Sequence, residues 1–266
     1  MPKRYWVDKA CQPAKFTLHK IMETDNKKDY LLPASIIVAA ILIAGSIIYL
    51  VGSSKGNSGG TNGGGGQNPP PSNDSVQKQG PRDVILGEAN APVTIIEYGD
   101  YQCTYCIRFF EATEPLIRNN YVKSGKVKMV FRSFQFLGAE SELAGQAAEC
   151  AKDQNNFWAY HDAIYTAEAK DGQENNGNMT KAFFVQLAKD VGLDVGKFTS
   201  CYDSGKYADT VKKSSQDAST LGVNSTPTFF VNGQQVNGAQ PFEYSGTDPR
   251  VTPFKPLIEN LLKNSK

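Results

Sequence analysis

The stretch Ile96-Glu97-Tyr98-Gly99-Asp100-Tyr101-Gln102-Cys103-Thr104-Tyr105-Cys106 decides the reading of this chain. Pro92 to Tyr98 is mostly apolar and β-branched, the composition of a strand buried on both faces of a sheet. Cys103 follows after a short loop, and a helix then runs from Thr104 towards Tyr121 with a kink at Pro115. A dithiol at a strand-to-helix junction suits disulfide exchange, because a helix N-terminus stabilises a thiolate. The spacing alone suits zinc equally well. Redox chemistry is favoured by the junction itself and by the Thr226-Pro227 step just before a later strand. It is also favoured by an expected position outside the cytoplasm, where disulfides persist.

That position follows from the N-terminal residues. Leu31 to Val51 carries no charge and has the length of a bilayer-spanning helix. Lys3, Arg4, Lys9, Lys15, Lys20, Lys27 and Lys28 precede it, and only Lys55 follows closely. The excess of positive charge places residues 1–30 in the cytoplasm, residues 31–52 as a single transmembrane anchor, and the remainder outside. A cleaved signal peptide is the alternative. The long N-terminal region and the lack of a small-x-small site after Val51 speak against it. Residues 53–80 are Gly, Ser, Asn and Pro, a disordered linker spanning about 30 Å as a random coil. Cys11 falls on the cytoplasmic side without a partner. The formal net charge of +1 gives nucleic-acid binding no electrostatic support.

Residues 81–266 read as one folded domain. Lys126 to Phe131 is a second strand. A helical block follows at about residues 139–221, with stripes at Leu143, Ala147, Cys150 and Ala151, then at Phe157, Tyr160, Ile164 and Ala167. A third stripe, Phe183, Phe184, Leu187, Ala188 and Val191, starts at Thr180 as a cap and stops at Gly192. Tyr207, Val211, Ser214, Ala218 and Leu221 continue the pattern. Strand character returns at Thr228 to Val231, Asn232-Gly233 is a type I′ hairpin signal, and Phe254 to Leu262 is a last amphipathic helix.

This arrangement resembles the thioredoxin fold in its DsbA-like form, in particular the membrane-anchored thiol-disulfide oxidoreductases of the BdbD type. The likeness rests on Ile96 to Cys106, on Phe131-Arg132-Ser133-Phe134, on Ala147-Ala148-Glu149-Cys150-Ala151, on Phe157-Trp158 and Tyr160-His161-Asp162, and on Val223 to Gly233. It implies an α/β thioredoxin-like fold with an inserted helical subdomain, and an enzyme without metal or cofactor. It also implies exported cysteine-containing proteins as substrates and a DsbB- or VKOR-like membrane partner for reoxidation. Cys103 is then the exposed attacking thiol and Cys106 the resolving thiol. Pro227 is implied to be cis, leaving the Thr226 backbone free to hold a substrate strand. Glu97 exchanges a proton with Cys106, or else points to solvent.

The motif departs from the family pattern at Thr104, where proline is common, and at Tyr105, where the strongest oxidants carry histidine. Direction therefore stays open between an oxidase and a reductase or isomerase using the same residues. A non-catalytic binding module is the reading of another class. Cys150 and Cys201 form a structural disulfide or remain buried thiols; a zinc site built from all four cysteines competes with both. His161 is read as a packed or surface residue.

Overall fold

The computed structural model describes residues 80–265. Residues 1–79, with the expected cytoplasmic segment, anchor, Cys11 and all but the end of the linker, lie outside the described residues. Among the described residues no helix is long and apolar enough to cross a membrane.

A five-stranded mixed sheet organises the fold, in the order β1-β3-β2-β4-β5. The strands are β1 (Ile85–Leu86), β2 (Val93–Gly99), β3 (Val127–Ser133), β4 (Thr228–Val231) and β5 (Gln234–Asn237). Strands β2 and β3 are parallel, with Val93 opposite Val127 and Gly99 opposite Ser133. The other pairs are antiparallel. The β-branched strand β2 therefore takes the middle place, where both of its faces are covered. The short edge strand β1 carries no signal that the sequence pattern isolates. The β4–β5 turn has positive φ at both Asn232 and Gly233, as a type I′ hairpin requires.

The alternation along β2 divides the core. Val93 and Ile95 face Val127, Met129, Phe229 and Val231, under helices α1 (Thr104–Ala112) and α8 (Phe254–Asn264). Phe109 of α1 lies 4.3 Å from Phe229 and 5.3 Å from Phe254, centroid to centroid. Such aromatic pairs contribute about 0.5–1.5 kcal/mol each beyond their burial. Ile96 and Tyr98 point the other way and meet Ala218 of helix α7 (Ala208–Thr220).

The first helix is not one kinked rod. It stops at Ala112, restarts as α2 (Glu114–Ile117), and ends in a π-helical turn over Arg118–Val122. Pro115 falls within the first turn of α2, where its missing N–H costs nothing. Helices α3 (Ala139–Lys152), α4 (Phe157–Asp171), α5 (Lys181–Asp190) and α6 (Val195–Asp203) fill the space between β3 and α7. Their shared core contains Ala144, Ala147, Ala151, Tyr160, Ile164 and Phe198. Leu143 is instead exposed, because the inward face of α3 is its run of alanines, which lets the neighbouring helices approach closely. Cys150 of α3 and Cys201 of α6 are joined by a disulfide.

Candidate active site

The loop after β2 positions the dithiol. Gly99 leaves the strand where a Cβ would come within 2.5 Å of the Phe131 ring, so only glycine fits. Asp100 is fully buried and ties the loop down. Its Oδ1 accepts from Gln102 N at 3.0 Å and Ser141 Oγ at 2.7 Å; its Oδ2 accepts from Phe136 N at 2.9 Å and Leu137 N at 3.1 Å. The Cys103 N–H donates to Asp100 O at 3.1 Å, and Cys103 occupies the N-cap of α1.

Both thiols of the pair are free. Cys103 is 5 % exposed and Cys106 is 0 % exposed. Cys103 is thus the more accessible, yet it is more covered than an exposed attacking thiol. The cause is the loop that lies against it, where the Cys103 thiol donates to Thr226 O at 3.4 Å. The Thr226-Pro227 peptide bond is cis. Proline at this position has no N–H to give to a neighbouring strand.

The two sulfurs differ sharply in acidity. A hydrogen bond from the Cys106 thiol, opposed by burial, lowers Cys103 from the ordinary thiol value to about 6. The Thr226 side chain and the backbone N–H groups of Cys106 and Tyr105 add to the lowering. The Thr226 hydroxyl has no other partner. Burial pushes the Cys106 thiol well above its ordinary value, and the neighbouring Cys103 and Glu97 charges push it further. At pH 7 the arrangement therefore holds roughly nine-tenths of Cys103 as thiolate and keeps Cys106 protonated. Alkylation of the reduced protein should label Cys103 alone, with a midpoint near pH 6. Mass mapping across a pH series checks this, and a midpoint at the ordinary thiol value would contradict it.

Glu97 lies inside the protein at 3 % exposure, between Phe131 and Phe229 on the flanking strands. Burial first, and then the Glu114 carboxylate, raise it well above the usual carboxyl range, against the pull of Arg118. Sequence reasoning does not single out Asp100, Glu114, Arg118 or Asp162. The visible signal for Asp100 is an acid in a short loop that must tie down a buried turn. With Cys150 and Cys201 bonded to each other, a four-thiolate site is not formed. His161 is fully enclosed and packs against Phe131 and Trp158, with ring centroids at 4.8 Å and 5.0 Å.

A thioredoxin-like sheet that carries an acidic and a buried thiol at a strand–helix junction, beside a cis-proline loop, defines a protein thiol-disulfide oxidoreductase. A family model described as Thioredoxin matches residues 79–246. The chain belongs to that family, among its DsbA-like thiol-disulfide oxidoreductases. It is 32% identical over 156 residues to the probable disulfide bond formation protein D of Bacillus anthracis, covering 57% of this chain and 70% of the relative. The disulfide bond formation protein D of Bacillus subtilis is 30% identical over 155 residues, covering 57% and 68%. The crystal structure of oxidised BdbD from Bacillus subtilis superposes with a TM-score of 0.59 at 27% identity, over 68% of this chain and 94% of that one.

Proposed function

We propose that this enzyme is a dithiol oxidase that introduces disulfides into exported proteins. The observation that carries the reading is the Cys103 thiolate, lowered to about 6 next to a fully buried partner. Stabilising the thiolate stabilises the reduced state and so makes the disulfide more oxidising. At pH 7 a shift of this size favours the reduced form about tenfold, or about 30 mV for a two-electron couple. The sign follows from the direction of the shift. The extra stability of the folded dithiol is complete above the ordinary thiol value of 9.0 and is lost as pH falls through about 6.

In this reading a substrate thiolate attacks Cys103 Sγ of the oxidised pair. The Cys103–Cys106 bond breaks, Cys106 leaves with the electron pair, and Glu97 gives it a proton. A second substrate thiol then displaces Cys103 and leaves with the new disulfide. The Thr226 backbone beside cis-Pro227 holds the substrate strand. Exported cysteine-containing proteins are the substrates, and a DsbB- or VKOR-like membrane protein takes the electrons from the reduced pair. The uncharged run at residues 31–52 anchors the chain with residues 1–30 in the cytoplasm, and residues 53–80 tether residues 81–266 outside. The Cys150–Cys201 disulfide agrees with an oxidising compartment.

Equilibration with a glutathione series measures the potential of the Cys103–Cys106 couple. A value well above the thioredoxin range supports the oxidase. A value at or below that of thioredoxin would overturn it in favour of a reductase running the same steps backwards.

A further inference from the structure

The cycle leaves one proton without a route. When Cys106 departs from the disulfide it carries a negative charge in a site with no exposed surface, so it must be protonated. The attacking substrate covers the Cys103 side at that moment. The inference below rests on the reading of Glu97 as the donor. Having given its proton, Glu97 is itself a buried carboxylate and must be recharged from solvent.

The path beyond Glu97 is built from an irregular piece of helix. Glu114 begins α2 directly after the break at Thr113 and is 1 % exposed. Arg118 reaches its Oε1 with Nη2 at 2.6 Å and Nε at 2.8 Å. Its Oε2 is enclosed and has no hydrogen-bond partner. A carboxylate kept only for an ion pair has no reason to bury an unbonded oxygen, which costs free energy. Burial raises the Glu114 carboxyl, while Arg118 and His161 pull it down and Asp162 pushes it up. After burial itself, Glu114 is the strongest influence on Glu97, ahead of Arg118 and Cys103.

On its other side the network reaches the surface. Arg118 makes a two-pronged contact with Asp162, Nη1 to Oδ2 at 2.6 Å and Nη2 to Oδ1 at 2.8 Å. His161 Nδ1 lies 3.0 Å from Asp162 Oδ1. Glu114, Arg118 and Asp162 together line an open cleft of about 480 Å³, floored by Phe110 and Pro115. No residue of the Cys103–Cys106 turn or of the Thr226-Pro227 loop lines it. The π turn begins at Arg118, where Lys123 N donates to Arg118 O at 3.0 Å, and such turns collect at functional sites.

We propose that Glu114 carries the proton between Glu97 and the solvent of the Arg118–Asp162 cleft, through its unpartnered Oε2. During reduction of the pair, Oε2 takes a proton from cleft water and passes it to the Glu97 carboxylate, which has just protonated Cys106. During reoxidation the proton returns the same way, from the Cys106 thiol to water. Glu114 acts through Glu97, so it is a positioning residue for the proton and not a catalytic one.

The test follows reduction of the oxidised full-length chain by a cysteine-containing peptide, in stopped flow, across pH and in both H2O and D2O. Glu97→Gln and Glu114→Gln should each slow the step about tenfold, flatten its pH dependence and change its solvent isotope effect. Glu114→Asp should recover most of the rate. The alkylation midpoint of reduced Cys103 should stay in place in Glu114→Gln. If Glu97→Gln slows the step while Glu114→Gln matches the unaltered chain in rate, pH profile and isotope effect, the relay is wrong and the reading of Glu97 stands. If neither variant differs from the unaltered chain, both fall. Should Glu114→Gln not fold, infrared difference spectra of the unaltered chain decide. Two carboxyl bands responding to reduction support the relay, and a single responding carboxyl overturns it.

Discussion

Replacing Cys103 with serine should lower thiol–disulfide exchange by on the order of 10^4 or more, whereas Cys106→Ser should still exchange once and then stall. The asymmetry follows from the two environments. Exchange needs a thiolate that a partner can reach. Cys103 sits at the helix N-cap with a hydrogen bond from Cys106 and support from Thr226. Cys106 lies one turn further in, without exposed surface and with its thiol held protonated. A Cys106→Ser protein therefore keeps the reactive sulfur and loses the one that closes the pair. Expressed in cells, it should accumulate mixed disulfides that migrate as reducible adducts on gels, and their mass spectra would name the substrates. Adducts through residue 106 in Cys103→Ser, at comparable yield, would reverse the assignment of the two sulfurs.

The double variant Cys150→Ala with Cys201→Ala should lose about 4 kcal/mol of stability. The disulfide closes a loop with a sequence separation of 51, and the chain-entropy estimate for that length is of this size. For a domain of this size the loss corresponds to a fall in Tm of about 8–16 °C. The two cysteines join α3 to α6, within the core shared by the four inserted helices. Unfolding is therefore expected to begin in that block, before the sheet opens. Calorimetry measures the shift, and hydrogen exchange locates it by comparing α3–α6 with β2 and β3. A change in Tm below about 2 °C would mean that packing, not the cross-link, holds the inserted helices.

Much of the sheet is legible in the amino-acid order because its signals are local. The β-branched run before Cys103, the Asn232-Gly233 turn and the Phe254 helix stripe each report their own residues. The helical block is legible as helices but less so in its packing. Leu143 is an apolar residue at a helical spacing that the alanine face of α3 leaves outside. The edge strand β1 is too short to show a period.

The acid–base surroundings of the dithiol were far less readable. Glu97 shows itself as a lone acid in an apolar strand, but its neighbours come from elsewhere. Asp162 reaches Arg118 across a separation of 44 residues, and Thr226 reaches Cys103 across 123. Nothing in a linear pattern records such pairings. Glu114 reads as an ordinary charged residue of a helix surface, and it is buried only because the helix breaks at Thr113 and restarts.

By itself, then, the order of residues determined a dithiol at a strand–helix junction, a proline step before a later strand, and the elements that carry them. Those features depend on spacing and on side-chain shape within a few residues. Tertiary structure alone decided which sulfur is acidic, how far Cys103 is covered, and which carboxylates stand behind Cys106. The physical reason is that acidity depends on burial and on charges across space, and both are set by residues that are neighbours only after folding.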